Sequence, residues 1–87
     1  MDKATIHFAD GSSIELKEND FLTPIVMHSD NDKTFAAKDE PIDLYVHIND
    51  GLIPSIMDAL CKCNFFYVNS DTSVAYSSHS IIKVELN

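Results

Sequence analysis

Eighty-seven residues set the scale of one small domain, and 45% apolar content with two Gly and three Pro excludes a disordered or low-complexity chain. Fourteen Asp and Glu stand against six Lys and no Arg, a formal net charge of −8. Phosphate backbones and anionic lipid surfaces are bound with cations, Arg above all, so direct nucleic-acid and membrane binding are excluded.

The chain opens with "ATIHF" and "SSIELK" around "ADGS". Ile6 and Phe8 alternate with Thr5 and His7, and Ile14 and Leu16 with Ser13, Glu15 and Lys17. The alternation predicts a hairpin of residues 4–9 and 12–17, closed by a two-residue Asp10-Gly11 turn of type I′. "KEND" reads as a turn. "FLTPIVMH" contains Pro24, which removes a ladder donor and predicts an edge or bulged strand. "SDNDKTFAAKDEP", 29–41, is polar without a period and reads as a long loop, anchored to the core by Phe35.

"IDLYVHIN" alternates strictly. Ile42, Leu44, Val46 and Ile48 share one face, and Asp43, Tyr45, His47 and Asn49 the other, which predicts a strand. Asn49 or Asp50 then caps a helix over 52–63, with Pro54 in its first turn. Ile53, Ile56, Met57, Leu60 and Cys61 fall on one helical stripe, opposite Ser55, Asp58, Ala59 and Lys62. Asn64 suits the left-handed end of that helix. "FFYV", "VAYS" and "SIIKVEL" read as three further strands. The sum is an α+β fold: one antiparallel sheet of five or six short strands with the helix packed on one face, in a single domain spanning 1–87. The expected core is Ile6, Phe8, Ile14, Leu16, Leu44, Val46, Ile56, Leu60, Val84 and Leu86.

No recognisable catalytic constellation is present, and the expectation is a protein that is not an enzyme and holds no cofactor. Cys61 and Cys63 form a C-x-C pair, about 200° apart around a helix, too far round to grip one ion. A zinc site needs four ligands in close pairs, whereas His7, His28, His47 and His79 are scattered. Cys61 is expected to pack as a small core residue, and no metal site is expected. "DNDKTF" resembles the start of a calcium loop, but Phe35 and Pro41 occupy the places of the required Gly and Glu. No apolar run reaches the roughly 20 residues of a membrane span. "MDKATIHFADG" has no signal-peptide h-region, so a cytoplasmic protein with reduced thiols is expected.

Charge is unevenly placed. Residues 10–50 carry ten acids and three Lys, whereas residues 51–87 carry three acids and two Lys. An acidic half either keeps the protein soluble or meets a basic surface. On the second reading, Glu15, Glu18, Asp20, Asp30, Asp32, Asp39, Glu40 and Asp43 make the contact, and Tyr45 and His47 supply an aromatic anchor, with Tyr67 and Tyr76 adjacent if the register allows.

In the style of "IHFADGSSIELKEND" and "SIIKVELN", the chain resembles the small acidic accessory proteins of phages and prophages of Gram-positive bacteria, anti-CRISPR and other anti-defence inhibitors among them. The resemblance implies a non-catalytic inhibitor that covers the nucleic-acid-binding surface of a host defence protein or blocks its assembly; an apolar edge at "FLTPIVMH" makes a homodimer the alternative to a monomer. It carries over no site residues. The alternative reading is a small-ligand-binding or dimeric scaffold protein, using a pocket between sheet and helix or a groove at a dimer interface.

Overall fold

A computed structural model describes residues 3–87 and shows an α+β fold. Met1 and Asp2, at the head of the stretch read for a signal peptide, lie outside those residues. The antiparallel strands are more numerous than expected and form two sheets. β1 (Lys3–Phe8), β2 (Ser13–Lys17) and β8 (Ile81–Leu86) make a three-stranded sheet of order β2-β1-β8. β3 (Phe21–Asp30), β4 (Lys33–Lys38), β6 (Phe65–Val68) and β7 (Asp71–Ser77) run β4-β3-β6-β7, and β5 (Ile42–Asp43) pairs with the start of β3. One helix, α1 (Ile53–Leu60), packs against β3 and β8.

The first hairpin forms in the expected place with a different turn. Ile6 stands opposite Ile14 and Ala4 opposite Leu16. Phe8 donates its N–H to Ser12 and accepts from Gly11, and of the turn residues only Gly11 has positive φ, at 91°. A type I turn followed by a left-handed glycine therefore closes a three-residue loop, where type I′ would need two positive φ values. Asp10 braces it, its carboxylate accepting from the Ser12 N–H and hydroxyl. These bonds hold the Asp10 carboxyl below the usual carboxylate range. Asp71 and Ser73 repeat the device at the start of β7, with the same effect on Asp71.

β3 is the longest strand and lies inside its sheet, not at an edge. Pro24 is tolerated there for a local reason. Its carbonyl accepts from the Asp39 N–H, so its backbone faces the gap where β4 has ended and β5 has not begun. The missing donor falls where no ladder rung is required. Beyond Pro24 the predicted loop 29–41 is largely a β-ribbon. Asn31 and Asp32, with φ of 49° and 68°, make a two-residue turn, and His28 stands opposite Phe35. Both left-handed positions are filled by residues that tolerate them. Phe35 is 47% exposed and stacks on His28 rather than anchoring the core.

The alternation at 42–49 overstates its strand. β5 ends at Asp43 because its partner ends: the preceding residues of the neighbouring chain form the "KEND" turn, with Asn19 at φ 77°. Leu44 makes two last backbone bonds, to Asp20 and Asn19. The chain then folds back on itself, His47 bonding Gly51 in both directions, and Ile48 at the tip is 89% exposed. Asn49 and Gly51 supply the positive φ that this reversal needs. The Leu86 side chain lies 2.8 Å from where a Cβ on residue 51 would sit, so another residue there would displace the end of Leu86 as well as hold a positive φ of 64°.

The helix is shorter than 52–63, and its buried stripe is turned by one residue. Leu52, Ser55, Ile56, Ala59 and Leu60 face inward, while Met57 and Cys61 are exposed. Ser55 explains the turn: its hydroxyl accepts from the Tyr45 N–H and donates to the Asp43 carbonyl, which fixes a small polar residue at the interface. Neither Asn49 nor Asp50 caps the helix: Leu52 holds that position without a side-chain bond. Asn64 is not left-handed, and its Oδ1 instead meets His79 Nε2 at 2.8 Å.

The core is Ala4, Ile6, Phe8, Leu16, Leu22, Leu44, Leu52, Ile56, Ala59, Leu60 and Phe66. Of the expected members, Ile14, Val46 and Val84 are only partly buried and Leu86 is 47% exposed. Phe66 is 1% exposed and its sequence neighbour Phe65 is 48% exposed. Phe66→Ala is expected to cost about 3–5 kcal/mol of folding free energy through the cavity it leaves, against about 0.5 kcal/mol or less for Phe65→Ala. Urea denaturation of the two variants checks this, and equal losses would place the core elsewhere.

Candidate functional site

Most of the acids in the electronegative half lie in exposed connections. Glu18 and Asp20 belong to the β2–β3 turn, Asp39 and Glu40 to the β4–β5 connection, and Asp43 closes β5 opposite Phe21. Backbone bonds tie these segments together. Leu44 donates to the Asp20 carbonyl, Asn19 to the Leu44 carbonyl, and Val46 to the Glu18 carboxylate at 3.2 Å. Asp20 spends one carboxylate oxygen on the Lys17 N–H, and Asp39 one on the Glu40 N–H. The structure thus brings Glu18, Asp20, Asp39, Glu40 and Asp43 to one border of the second sheet.

Three other expected contributors stand apart. Glu15 lies on the outer face of the first sheet, ion-paired to Lys3 at 3.5 Å and hydrogen-bonded by Asn87. Asp30 and Asp32 sit at the tip of the β3–β4 ribbon, where the neighbouring Lys33 offsets part of their charge. The acidic half is therefore not one continuous surface. It divides because β3 carries the ribbon away from the body, in a molecule 46 Å long and 20 Å thick.

Ion pairing separates the border from the rest. The pairs among the described residues are Lys3–Glu15, His7–Glu85, Lys62–Asp58 and Lys83–Glu85. They lie on the three-stranded sheet and at the end of the helix, Lys62 standing just past α1. None of Glu18, Asp20, Asp39, Glu40 and Asp43 meets a cation within that set.

Tyr45 and His47 adjoin this border. Their rings stack at 4.8 Å, and Tyr45 is 58% exposed. Ser55 holds the Tyr45 backbone from below, while His47 closes the 47–51 reversal. The ring pair is thus mounted on constrained backbone. His47 Nε2 is buried with no hydrogen-bond partner among the described residues. Tyr67 and Tyr76 do not join this surface: Tyr67 pairs with Thr23, and Tyr76 stacks between Phe8 and Phe66.

One surface was not anticipated from the sequence, and a second matches the pocket between sheet and helix of the alternative reading. On the ribbon, Met27, 64% exposed, stands opposite Ala36 on one face, and His28 stacks on Phe35 on the other. The alternation of Met27 and Ser29 against Ala36 and Thr34 was available as a signal, hidden by the polar composition around it. A groove of about 520 Å³ also runs between α1 and β8, lined by Ile53, Met57, Leu60, Ile81, Ile82 and Val84 among others.

The thiols lie at one end of that groove. Cys61, expected in the core, is exposed because the helix stripe is rotated; Cys63 is half-buried and donates to the Ala59 carbonyl at 3.6 Å. No group of three or more His, Cys, Asp or Glu able to hold a metal occurs among the described residues. None of the described helices is long and apolar enough to cross a membrane. Comparison with known proteins finds no family model, no curated protein and no solved structure that matches this chain.

Burial pushes the Cys63 thiol above its ordinary range, outweighing an opposing backbone bond from Ile25. The thiolate is the reactive form. Cys61 is therefore expected to alkylate severalfold faster than Cys63 in native protein at mildly alkaline pH, with the difference lost in urea. Mass spectrometry of iodoacetamide-treated Cys61→Ser and Cys63→Ser variants measures each rate. Equal native rates would contradict the burial of Cys63.

Proposed function

We propose that this protein is a non-enzymatic inhibitor, phage-encoded as its resemblance implies, that docks its acidic border on a basic, nucleic-acid-binding surface of a host defence protein. One observation carries the reading: Glu18, Asp20, Asp39, Glu40 and Asp43 are gathered on one border flanked by Lys17 and Lys38, and none of the five is ion-paired among the described residues, while the ion pairs lie elsewhere. Carboxylates on one border that make no ion pair leave a negative field outside the protein, and a basic partner is drawn to it. Glu15, Asp30 and Asp32 contribute at a distance, to the long-range field rather than to the contact. Tyr45, stacked on His47 beside the border, is the anchor that excludes water at its centre. In this reading charge governs association and the ring pair governs dissociation. The site works in the cytoplasm, without metal or cofactor.

A second reading, a small apolar ligand held against the helix, draws on the α1–β8 groove. Salt separates the two, because exposed charge contacts are screened and apolar contacts are not.

The test uses the immobilised chain and its Asp39→Lys/Glu40→Lys/Asp43→Lys variant to capture proteins from bacterial lysate at low and high salt. A nucleic-acid-binding protein is expected on the first and not on the second. Its association rate should fall by about tenfold or more in the variant at low salt and lose its salt dependence. Circular dichroism confirms that the variant is folded. A folded variant that captures the same protein at an unchanged low-salt rate would sink the reading.

A further inference from the structure

The three-stranded sheet ends on β8, which pairs with β1 along one side only. The ladder fixes which backbone groups face outward. Asn87 donates its N–H to the Lys3 carbonyl, so Asn87, Glu85 and Lys83 turn their backbone toward β1. Direction alternates along a strand, and Ile82, Val84 and Leu86 turn theirs to the open edge. No backbone bond from these three to any group beyond the ladder occurs among the described residues. Ile81 pairs with Phe8 and Lys83 with His7, leaving Ile82 as the extra residue of a bulge. Pairing ends at such a bulge, so the usable edge is residues 82–86.

This edge is apolar where its neighbours are not. Ile82 is 66% and Leu86 47% exposed, and both fall on the side of the strand that Val84 turns to the core and the α1 groove. Lys83 and Glu85 occupy the other side, with the Lys83 ammonium 3.9 Å from the Glu85 carboxylate. An exposed apolar edge beside a groove is a template for another strand.

We propose that the strand is β8 of a second copy of this chain, added antiparallel about a two-fold axis through Val84. The argument is the register. Outward-facing residues must oppose outward-facing residues, which leaves few alignments. Centred on Val84, Lys83 stands opposite Glu85 of the second copy and Glu85 opposite its Lys83. Ile82 meets its Leu86 on the groove side. A shift either way opposes Lys83 to Lys83 or Glu85 to Glu85, and like charges directly opposed are destabilising. The edge is complementary to itself in one register and repelled in the adjacent ones. The product is a continuous six-stranded sheet, β2-β1-β8 followed by β8-β1-β2 of the second copy, with both grooves flanking the seam. β2 offers an open edge too, with outward residues Ser13, Glu15 and Lys17, but the register that opposes Glu15 to Lys17 is centred on Leu16 and keeps only residues 15–17 of the strand in the seam. β4 carries Lys33 and Lys38 at its ends and no charge between them to select a register. This inference stands independently of the acidic border, which lies on other elements.

Sedimentation velocity on the full chain at high micromolar concentration tests it with Lys83→Glu, Glu85→Lys and their mixture. The unaltered protein is expected at twice the monomer mass, and each variant alone at the monomer mass. An equimolar mixture should return to the doubled mass, because each variant then meets the charge it lacks. Circular dichroism checks that each variant is folded. Should Glu85→Lys fail to fold without the contact to His7, the loss of dimer in Lys83→Glu decides alone. A monomeric unaltered protein, or a folded Lys83→Glu that remains dimeric, overturns the proposal.

Discussion

The two sheets are joined by a run of stacked rings. Tyr76 lies 5.4 Å from Phe8 and 5.7 Å from Phe66, its plane within 26° of both. Phe8 ends β1 in one sheet, and Phe66 and Tyr76 face each other across β6 and β7 in the other. Aromatic side chains bury large areas, so few residues suffice to hold two small sheets to a common core. A chain of 87 residues cannot build a separate core for each sheet. Ile6, Leu22, Leu52 and Ile56 fill the rest of the junction, drawn from both sheets and the helix.

Concentrating the core at that junction leaves the periphery thin. β3 contributes Leu22, Thr23 and Pro24 to the interior and then leaves it, and from Met27 to Asp30 every residue is exposed. The ribbon beyond is held by its own ladder and turn. The connection from β4 back to β5 passes beside Pro24, where the ladder is interrupted, and it carries Asp39 and Glu40. One local necessity, the missing proline donor, thus opens the gap through which an acidic segment crosses the sheet border.

Charge is sorted by the same geometry. Lys3 on β1 finds Glu15 across the strand, Lys83 finds Glu85 two residues along β8, and Lys62, just past the helix, finds Asp58 one turn back. The turn and connection acids are flanked by Lys17 and Lys38 but form no ion pair with them. Exposed ion pairs contribute little to stability, so this sorting shapes the field outside the protein more than the fold within it. It leaves one border electronegative and, on a different element, one strand edge with paired opposite charges.

Local chemistry was legible in the sequence wherever neighbours decide structure. The first hairpin, the "KEND" turn, the one helix, the last strands and core positions such as Ile6, Phe8, Leu16, Leu44 and Ile56 follow from alternation, turn residues and helical spacing. The absence of Arg and the bias of acids toward residues 10–50 were likewise plain. Tertiary structure decided what depends on distant partners. The strand at 42–49 stops because its partner turns. Pro24 sits inside a sheet because a gap accepts it, and a polar stretch becomes a ribbon because Asn31 and Asp32 both turn left-handed. The helix stripe rotates because Ser55 bonds the backbone at Asp43 and Tyr45. Of the ten candidate residues, the fold gathered seven on one border and dispersed Glu15, Asp30 and Asp32. Composition fixes how much charge a chain carries, and only the strand pairing sets which carboxylates meet a lysine.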